Sequence, residues 1–284
     1  MPARLIDGRA HARAIREELK LAVARHPNQR PPGITVIQVG DDLASTTYVR
    51  GKQQAAEEIG FKSAIMHLHD TTQADLNDRI RALADDPTID GILVQMPLPK
   101  GLDPDDAVEQ IPPHKDVDGL HPYNAGRLAQ GNPTFIPATP LGVLELLRRE
   151  HIDPTGQRAV VVGRSRLVGR PLALLLLQNH ATVTIAHSQT TDLPSITRTA
   201  DILVAATGKR GIITGDHVRP GAIVIDVGIT RDPQTGKLTG DVDRTTVEQV
   251  AAALTPVPGG VGPMTVAMLL VNTYRAYRQH LGQA

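Results

Sequence analysis

A tyrosine and a lysine four residues apart, Tyr48 and Lys52, are the first candidates for chemistry. They fall in DDLASTTYVRGKQQAAEEIGF, residues 41–61, where acids at the start and Gly60 at the end predict a helix. At that spacing the phenol and the amine share one helix face. The same stripe continues through Ala55 and Ile59, both apolar. An amine held on such a stripe loses water, its pKa falls, and the neutral form becomes a usable base. The competing reading is a lysine that snorkels past a narrow apolar stripe into solvent. Gln95 follows Ile92-Leu93-Val94, at the expected carboxyl end of a strand. Ligands of open α/β sheets bind outside those ends, and a buried amide there can position a lysine or a substrate. The alternative is a strand-end amide facing water.

Asp116 and Asp118 flank Val117, so an extended chain puts both carboxylates on one side. Three roles are open to them. They could hold a divalent metal, accept two parallel N–H bonds from a heterocycle, or cap a turn. No lysine-bearing phosphate loop accompanies them, which weighs against the metal. His67-Leu68-His69-Asp70 also invites a metal reading, set against two histidines exposed at a strand end.

Two glycine-bearing turns complete the set. LTPVPGGVGPMTVAMLLVNT, residues 254–273, runs from a turn with Pro258, Gly259, Gly260, Val261 and Gly262 into an apolar helix. Glycine lets backbone N–H groups approach a ligand, Pro263 suits a first helical turn, and the positive helix end faces the loop. QRAVVVGRSRLVGRPLALLLLQN, residues 157–179, reads as strand, turn and helix, with Gly163 for the turn and Gly169 for close packing. Ser165 stands where a dinucleotide fingerprint has its middle glycine. The next strand ends in His187, Ser188 and Gln189 rather than an acid. Without the ribose-binding acid, and with Arg164 in the turn, the site suits a 2′-phosphate and hence NADP. Arg164 as a solvated turn residue is the alternative. Thr207-Gly208 and Gly228-Ile229 close two further buried strands and are expected to line the nicotinamide end.

The elements that must position these groups alternate strand and helix. A helix over 7–25, a strand over 31–40, the helix carrying Lys52, a strand over 62–69, a helix over 71–86 and a strand from Asp90 argue for βαβ units and a parallel sheet. Residues 114–128 read as long and irregular, and within 135–150 Thr139 reads as the N-cap and Pro140 as the first turn of a helix leading into a second domain. The final helix, from Met264 to Leu281, is expected to return to the first. The fold class expected is two α/β domains with a cleft between them, the second a Rossmann-like doubly wound parallel sheet. The domains are placed at 1–140 plus 265–284, the catalytic domain with Lys52, and 141–264, the NADP-binding domain.

Composition excludes several classes. Lys+Arg and Asp+Glu are 30 each, and aromatics are 2%, so neither a basic surface nor stacking platforms argue for nucleic acid. No apolar run reaches the roughly 18 residues of a membrane span. Cysteine is absent, which removes thiolate chemistry and leaves a reducing cytosol as the default. No metal is expected.

PGGVGPMT, together with YVRGK, VQMPLP, DVDG, PATPLG, GRSRLVGRP and AHSQT, in this order along nearly the whole chain, resembles the bifunctional methylenetetrahydrofolate dehydrogenase/cyclohydrolase family. Ala138 stands where the family often has Cys, and Gly51 where it often has a bulkier or polar residue. The resemblance implies NADP-dependent oxidation of 5,10-methylenetetrahydrofolate, then hydrolysis to 10-formyltetrahydrofolate. It implies Lys52 as acid/base, Gln95 positioning and tuning it, Tyr48 packing on the folate and Asp118 binding the pterin N–H groups. Substrate contacts are implied at Tyr48, Val94, Pro97, Leu98 and Pro258 to Gly262. Cofactor contacts are implied at Gly163, Arg164, Ser165, Val168, Gly169, His187, Ser188, Thr207, Gly208, Gly228 and Ile229. A homodimer joined through the cofactor domains, acting on tetrahydrofolate derivatives, is implied as well. Another NADP-linked dehydrogenase on this scaffold, or a dinucleotide-sensing module without turnover, are the competing readings.

Overall fold

The computed structural model describes residues 2–232 and 235–283. The chain begins β1 (Arg4–Leu5), α1 (Gly8–Ala24), β2 (Gly33–Val39), α2 (Leu43–Glu58), β3 (Lys62–Leu68), α3 (Gln73–Asp85) and β4 (Gly91–Val94). Helices α4 (Pro104–Glu109), α5 (Pro122–Ala129) and α6 (Ala138–Arg149) follow. Then come β5 (Arg158–Val162), α7 (Gly169–Gln178), β6 (Thr182–Ala186), α8 (Leu193–Thr197), β7 (Ile202–Ala205) and β8 (Ile223–Asp226). The short β9 (Thr230–Arg231) and β10 (Leu238–Thr239), α9 (Arg244–Val247), β11 (Ala253–Leu254) and α10 (Val261–His280) complete it. Among the described residues no helix is long and apolar enough to cross a membrane.

The chain divides into two compact units, residues 13–138 with 266–284 and residues 1–12 with 139–265. The first holds a three-stranded parallel sheet, β3-β2-β4. β2 is buried along its whole length, as a central strand covered on both faces must be. Ile37, Val39, Leu76, Ile80, Ile92 and Val94 form its core. Its helices start on local signals. The Asp42 carboxylate accepts from Ser45 N at 2.7 Å to open α2, and Thr72 caps α3.

The second unit holds a six-stranded sheet, β1-β11-β8-β7-β5-β6, parallel throughout. β6 lies on one side of β5 and the later strands on the other, so the order reverses between β5 and β7. That doubly wound arrangement puts a ligand crevice at the carboxyl ends of β5 and β7. The short hairpin of β9 and β10 is antiparallel. Pro233 and Gln234 lie outside the described residues.

Three expectations are corrected. Residues 1–12, placed with the first domain, belong to the second unit, because Arg4 and Leu5 pair with Ala253 and Leu254 in its sheet. The stretch 114–128 is not irregular throughout. Pro122 occupies the first turn of α5, and the His121 ring accepts from Tyr123 N at 3.0 Å. Thr139 lies inside α6 rather than capping it, and its hydroxyl is 2.9 Å from that of Thr265.

Candidate active site

Lys52 lies in the third turn of α2, on a stripe whose lower end, Ala55 and Ile59, is buried. The residue as a whole is half-buried, and its amine donates to Gln95 Oε1 at 2.9 Å. Gln95 is held there by the sheet. Its backbone N donates to Ile37 O at 2.8 Å, extending the β2–β4 ladder one step beyond Val94, and its Nε2 donates to Met96 O at 2.7 Å. With the amide nitrogen engaged, the amide oxygen faces the lysine. The snorkelling geometry is therefore not the one adopted. Desolvation lowers the Lys52 pKa, and the charge of Asp118 partly restores it. Tyr48, one turn earlier, is 39% exposed, and partial burial raises its pKa.

The two aspartates separate sharply. Asp116 is buried, and its carboxylate accepts from Leu120 N, His121 N and Asn124 Nδ2 at 3.2, 2.8 and 2.8 Å. It is the turn-capping acid. Asp118 has no hydrogen-bond partner among the described residues. Burial raises its pKa, against the lowering effect of Lys52. Its segment is clamped from both sides. Ile92 N donates to Lys115 O, and Asn272 Nδ2 of α10 donates to both Val117 O and Ile136 O at 2.9 Å. Gly119 turns the chain with φ 69°, and a Cβ there would come within 2.6 Å of the Ile136–Pro137 peptide. A half-buried, unmatched carboxylate whose charge is felt by a desolvated amine has acceptor capacity left for donors from a bound molecule. Val94 is buried, Leu98 half-buried and Pro97 exposed in the turn after β4.

The second unit carries the dinucleotide turn. At Gly163, φ is 129°, and a Cβ would meet Ala206 O at 2.1 Å. At Gly169 it would meet Gly163 O at 2.1 Å. These glycines allow β5, β7 and α7 to meet where the strand order reverses. Ser165 does a job glycine could not. Its hydroxyl accepts from Val168 N and Gly169 N at 3.1 and 3.4 Å, at the start of α7. Arg164 is exposed, and Val168 half-buried. After β6, His187 N donates to Thr190 Oγ1 and Gln189 N to His187 Nδ1, making a turn with Ser188 exposed and no acid. A backbone cradle too tight for any side chain, a helix N-terminus and an arginine in place of the ribose acid fit NADP. Thr207-Gly208 follow β7 and Gly228-Ile229 follow β8.

The loop of Pro258, Gly259, Gly260, Val261 and Gly262 belongs to the same unit. Gly259 O accepts from Arg9 N at 3.0 Å, and a Cβ at Gly8 would lie 1.8 Å from Gly260 O. Gly259 and Gly260 are buried, so their bareness serves this packing as well. Tyr48, Lys52, Gln95 and Asp118 thus share one unit, and the cofactor residues and this loop share the other. Of the histidine run, His67 and His69 meet Asp41 rather than Asp70, and all three are exposed. Sequence reasoning missed Asn272, whose signal is an amide directly after the apolar run Met268 to Val271.

Comparison with known proteins bears on both units. A family model for "Tetrahydrofolate dehydrogenase/cyclohydrolase, catalytic domain" matches residues 6–118, and one for "Tetrahydrofolate dehydrogenase/cyclohydrolase, NAD(P)-binding domain" matches residues 137–281. The chain is 53% identical to a "Bifunctional protein FolD" of Synechococcus sp. (strain RCC307), covering 98% of this chain and 96% of that one. Its structure is similar to that of a FolD methylenetetrahydrofolate dehydrogenase/cyclohydrolase of Campylobacter jejuni, with TM-score 0.95, 45% identity and coverage of 98% and 99%. It is similar as well to the FolD of Trypanosoma brucei complexed with NADP cofactor and inhibitor, with TM-score 0.95, 41% identity and 99% of each chain covered.

Proposed function

The chain belongs to the tetrahydrofolate dehydrogenase/cyclohydrolase family, and from that premise we propose how its own residues carry the two activities. The protein is a bifunctional enzyme. It oxidises 5,10-methylenetetrahydrofolate to the 5,10-methenyl cation with NADP, then hydrolyses that cation to 10-formyltetrahydrofolate. NADP, when bound, supplies the hydride acceptor. Gly163 and Gly169 clear the approach to the turn, the Ser165 backbone N–H and the N-terminal end of α7 face its phosphates, and Arg164 meets the 2′-phosphate.

The observation that carries the reading is the Lys52–Gln95 contact beside the unpartnered Asp118. Asp118 accepts two parallel N–H bonds from the pterin, and Tyr48 packs on its ring. Val94, Pro97 and Leu98 line the same place. Oxidation needs alignment more than a base, because the flanking nitrogens stabilise the cation. Ring opening needs proton transfer. Water bonds to the methenyl carbon and gives a proton to Lys52 Nζ. The carbon–N5 bond then breaks, N5 takes a proton from the Lys52 ammonium, and the hydroxyl proton leaves as the formyl group forms. Desolvation makes the amine a free base nearer neutral pH, and Gln95 Oε1 holds it in place.

The same reading makes the protein a cytosolic homodimer joined through the cofactor domain. β6 is an edge strand with Ile185 43% exposed, and α7, which packs on β6, leaves Leu177 58% exposed, apolar surface suited to a second copy. Methylenetetrahydrofolate supplied with NADP tests the function. Reduced cofactor and 10-formyltetrahydrofolate are the expected products. Absence of either product refutes the corresponding step.

A further inference from the structure

Two buried carboxylates of the second unit are not among the residues assigned above to cofactor or folate, yet they bond to turns that are. Asp226 ends β8, and Asp241 follows β10. They are 3% and 0% exposed. One oxygen of Asp241, Oδ2, gathers Thr207 N at 2.5 Å, Thr207 Oγ1 at 3.0 Å and Gly208 N at 3.1 Å. Asp226 Oδ1 accepts from Asp241 N at 2.9 Å and Gly228 N at 3.0 Å, and its Oδ2 from Val242 N at 3.0 Å. The two acids form a continuous relay from the turn after β8 to the turn after β7.

The packing is as close as the bonding. A Cβ at Gly228 would lie 2.1 Å from Asp241 Oδ1, and one at Gly240 would lie 1.8 Å from Asp226 Oδ2. Asp241 Oδ1 itself is buried without a partner. Burying two acids, one with an idle oxygen, is an expensive way to hold a surface hairpin. Such a cost is expected where backbone position matters to function. Both turns lie at the carboxyl ends of adjacent strands, and β7 is the strand whose Ala206 carbonyl abuts the Gly163 turn. They therefore border the crevice where the strand order reverses.

We propose that Asp241, anchored by Asp226, is a positioning residue for hydride transfer, fixing the Thr207-Gly208 and Gly228-Ile229 turns at the nicotinamide end of the cofactor crevice. This rests on the NADP reading above. It predicts damage to alignment rather than to affinity, since the cofactor phosphates are held elsewhere. A misplacement of about 1 Å costs on the order of 100-fold in rate.

The test compares Asp241→Leu, which removes both oxygens, with Asp241→Asn, which keeps one neutral acceptor. Hydride transfer is measured with varied NADP, and ring opening with preformed methenyltetrahydrofolate as the control on folding. For the leucine variant we expect kcat for hydride transfer to fall at least tenfold, with KM for NADP and ring opening within about twofold of wild type. The asparagine variant should fall between. If the leucine variant does not fold, the asparagine variant decides: lowered hydride transfer with ring opening intact supports the role. Unchanged hydride transfer, or a parallel loss of both activities, overturns it. A wild-type protein without NADP-linked oxidation would instead refute the functional reading itself.

Discussion

Replacing Lys52 with methionine separates the two activities. Methionine matches the lysine stem in length and apolar character, so the stripe above Ala55 and Ile59 stays filled. What disappears is the donor to Gln95 Oε1 and the positive charge near Asp118. The orphaned amide oxygen is half-buried and costs about 1 kcal/mol. For a domain of this size that moves Tm by roughly 2–4 °C. Loss of positioned proton transfer costs about 100- to 10,000-fold in rate, or about 3–5 kcal/mol on the barrier. The chemical loss therefore exceeds the folding loss severalfold, and the variant can be assayed as a folded protein.

The assay follows decay of preformed methenyltetrahydrofolate for ring opening, and appearance of reduced NADP for oxidation. Ring opening should collapse by two to four decades. Oxidation should survive in part, because it uses no base. Lys52→Arg is the companion variant. It keeps a cation near Asp118 but cannot deprotonate, so it should bind the pterin better than the methionine variant and open the ring no faster. Ring opening at the wild-type rate in either variant would refute the acid/base role.

Three further outcomes follow from the same contacts. In Gln95→Glu the new carboxylate favours the ammonium form and raises the Lys52 pKa back toward its ordinary value. Ring opening needs the free amine, so the rising limb of its pH–rate profile should move to higher pH, and an unmoved limb would sink the tuning argument. In Arg164→Ala the KM for NADP should rise roughly 10- to 100-fold, the worth of a charge-assisted hydrogen bond, with NAD little affected; an equal change for both cofactors removes the 2′-phosphate assignment. Asn272→Leu strips the donor from two buried carbonyls, at roughly 1–3 kcal/mol each, and frees the segment carrying Asp118. Denaturant unfolding should show the loss, together with a raised KM for folate, and an unchanged KM would disconnect that clamp from the site.

What could be read from the chain was what its neighbours in sequence decide. The stripe of Tyr48, Lys52, Ala55 and Ile59 needs only helical periodicity, and the Gly163 turn needs only a strand before it and a helix after. The destination of the lysine came from the family resemblance and not from local pattern, because its partner is 43 residues away and stands where it does only through the register of Ile37 against Val94. Asp116 and Asp118 look alike in an extended chain. They diverge because Gly119 reverses the backbone and Asn272, far along the chain, pins the peptide between them. The relay of Asp226 and Asp241 was invisible for the same reason, as its acids serve turns at the ends of two other strands.

These misses share a physical cause. A buried carboxylate or amine has its behaviour set by the few groups within hydrogen-bond reach, and in a parallel sheet those groups arrive from different strand ends. Lys52 and Asp118 illustrate the consequence. Neither is fully paired by the protein, and each shifts the other's proton equilibrium in the direction opposite to burial. Removing either leaves the desolvation of its neighbour uncompensated. Their effects on ring opening should therefore be non-additive, and a double-mutant cycle of Lys52→Met with Asp118→Asn should show the second substitution costing less once the first is made.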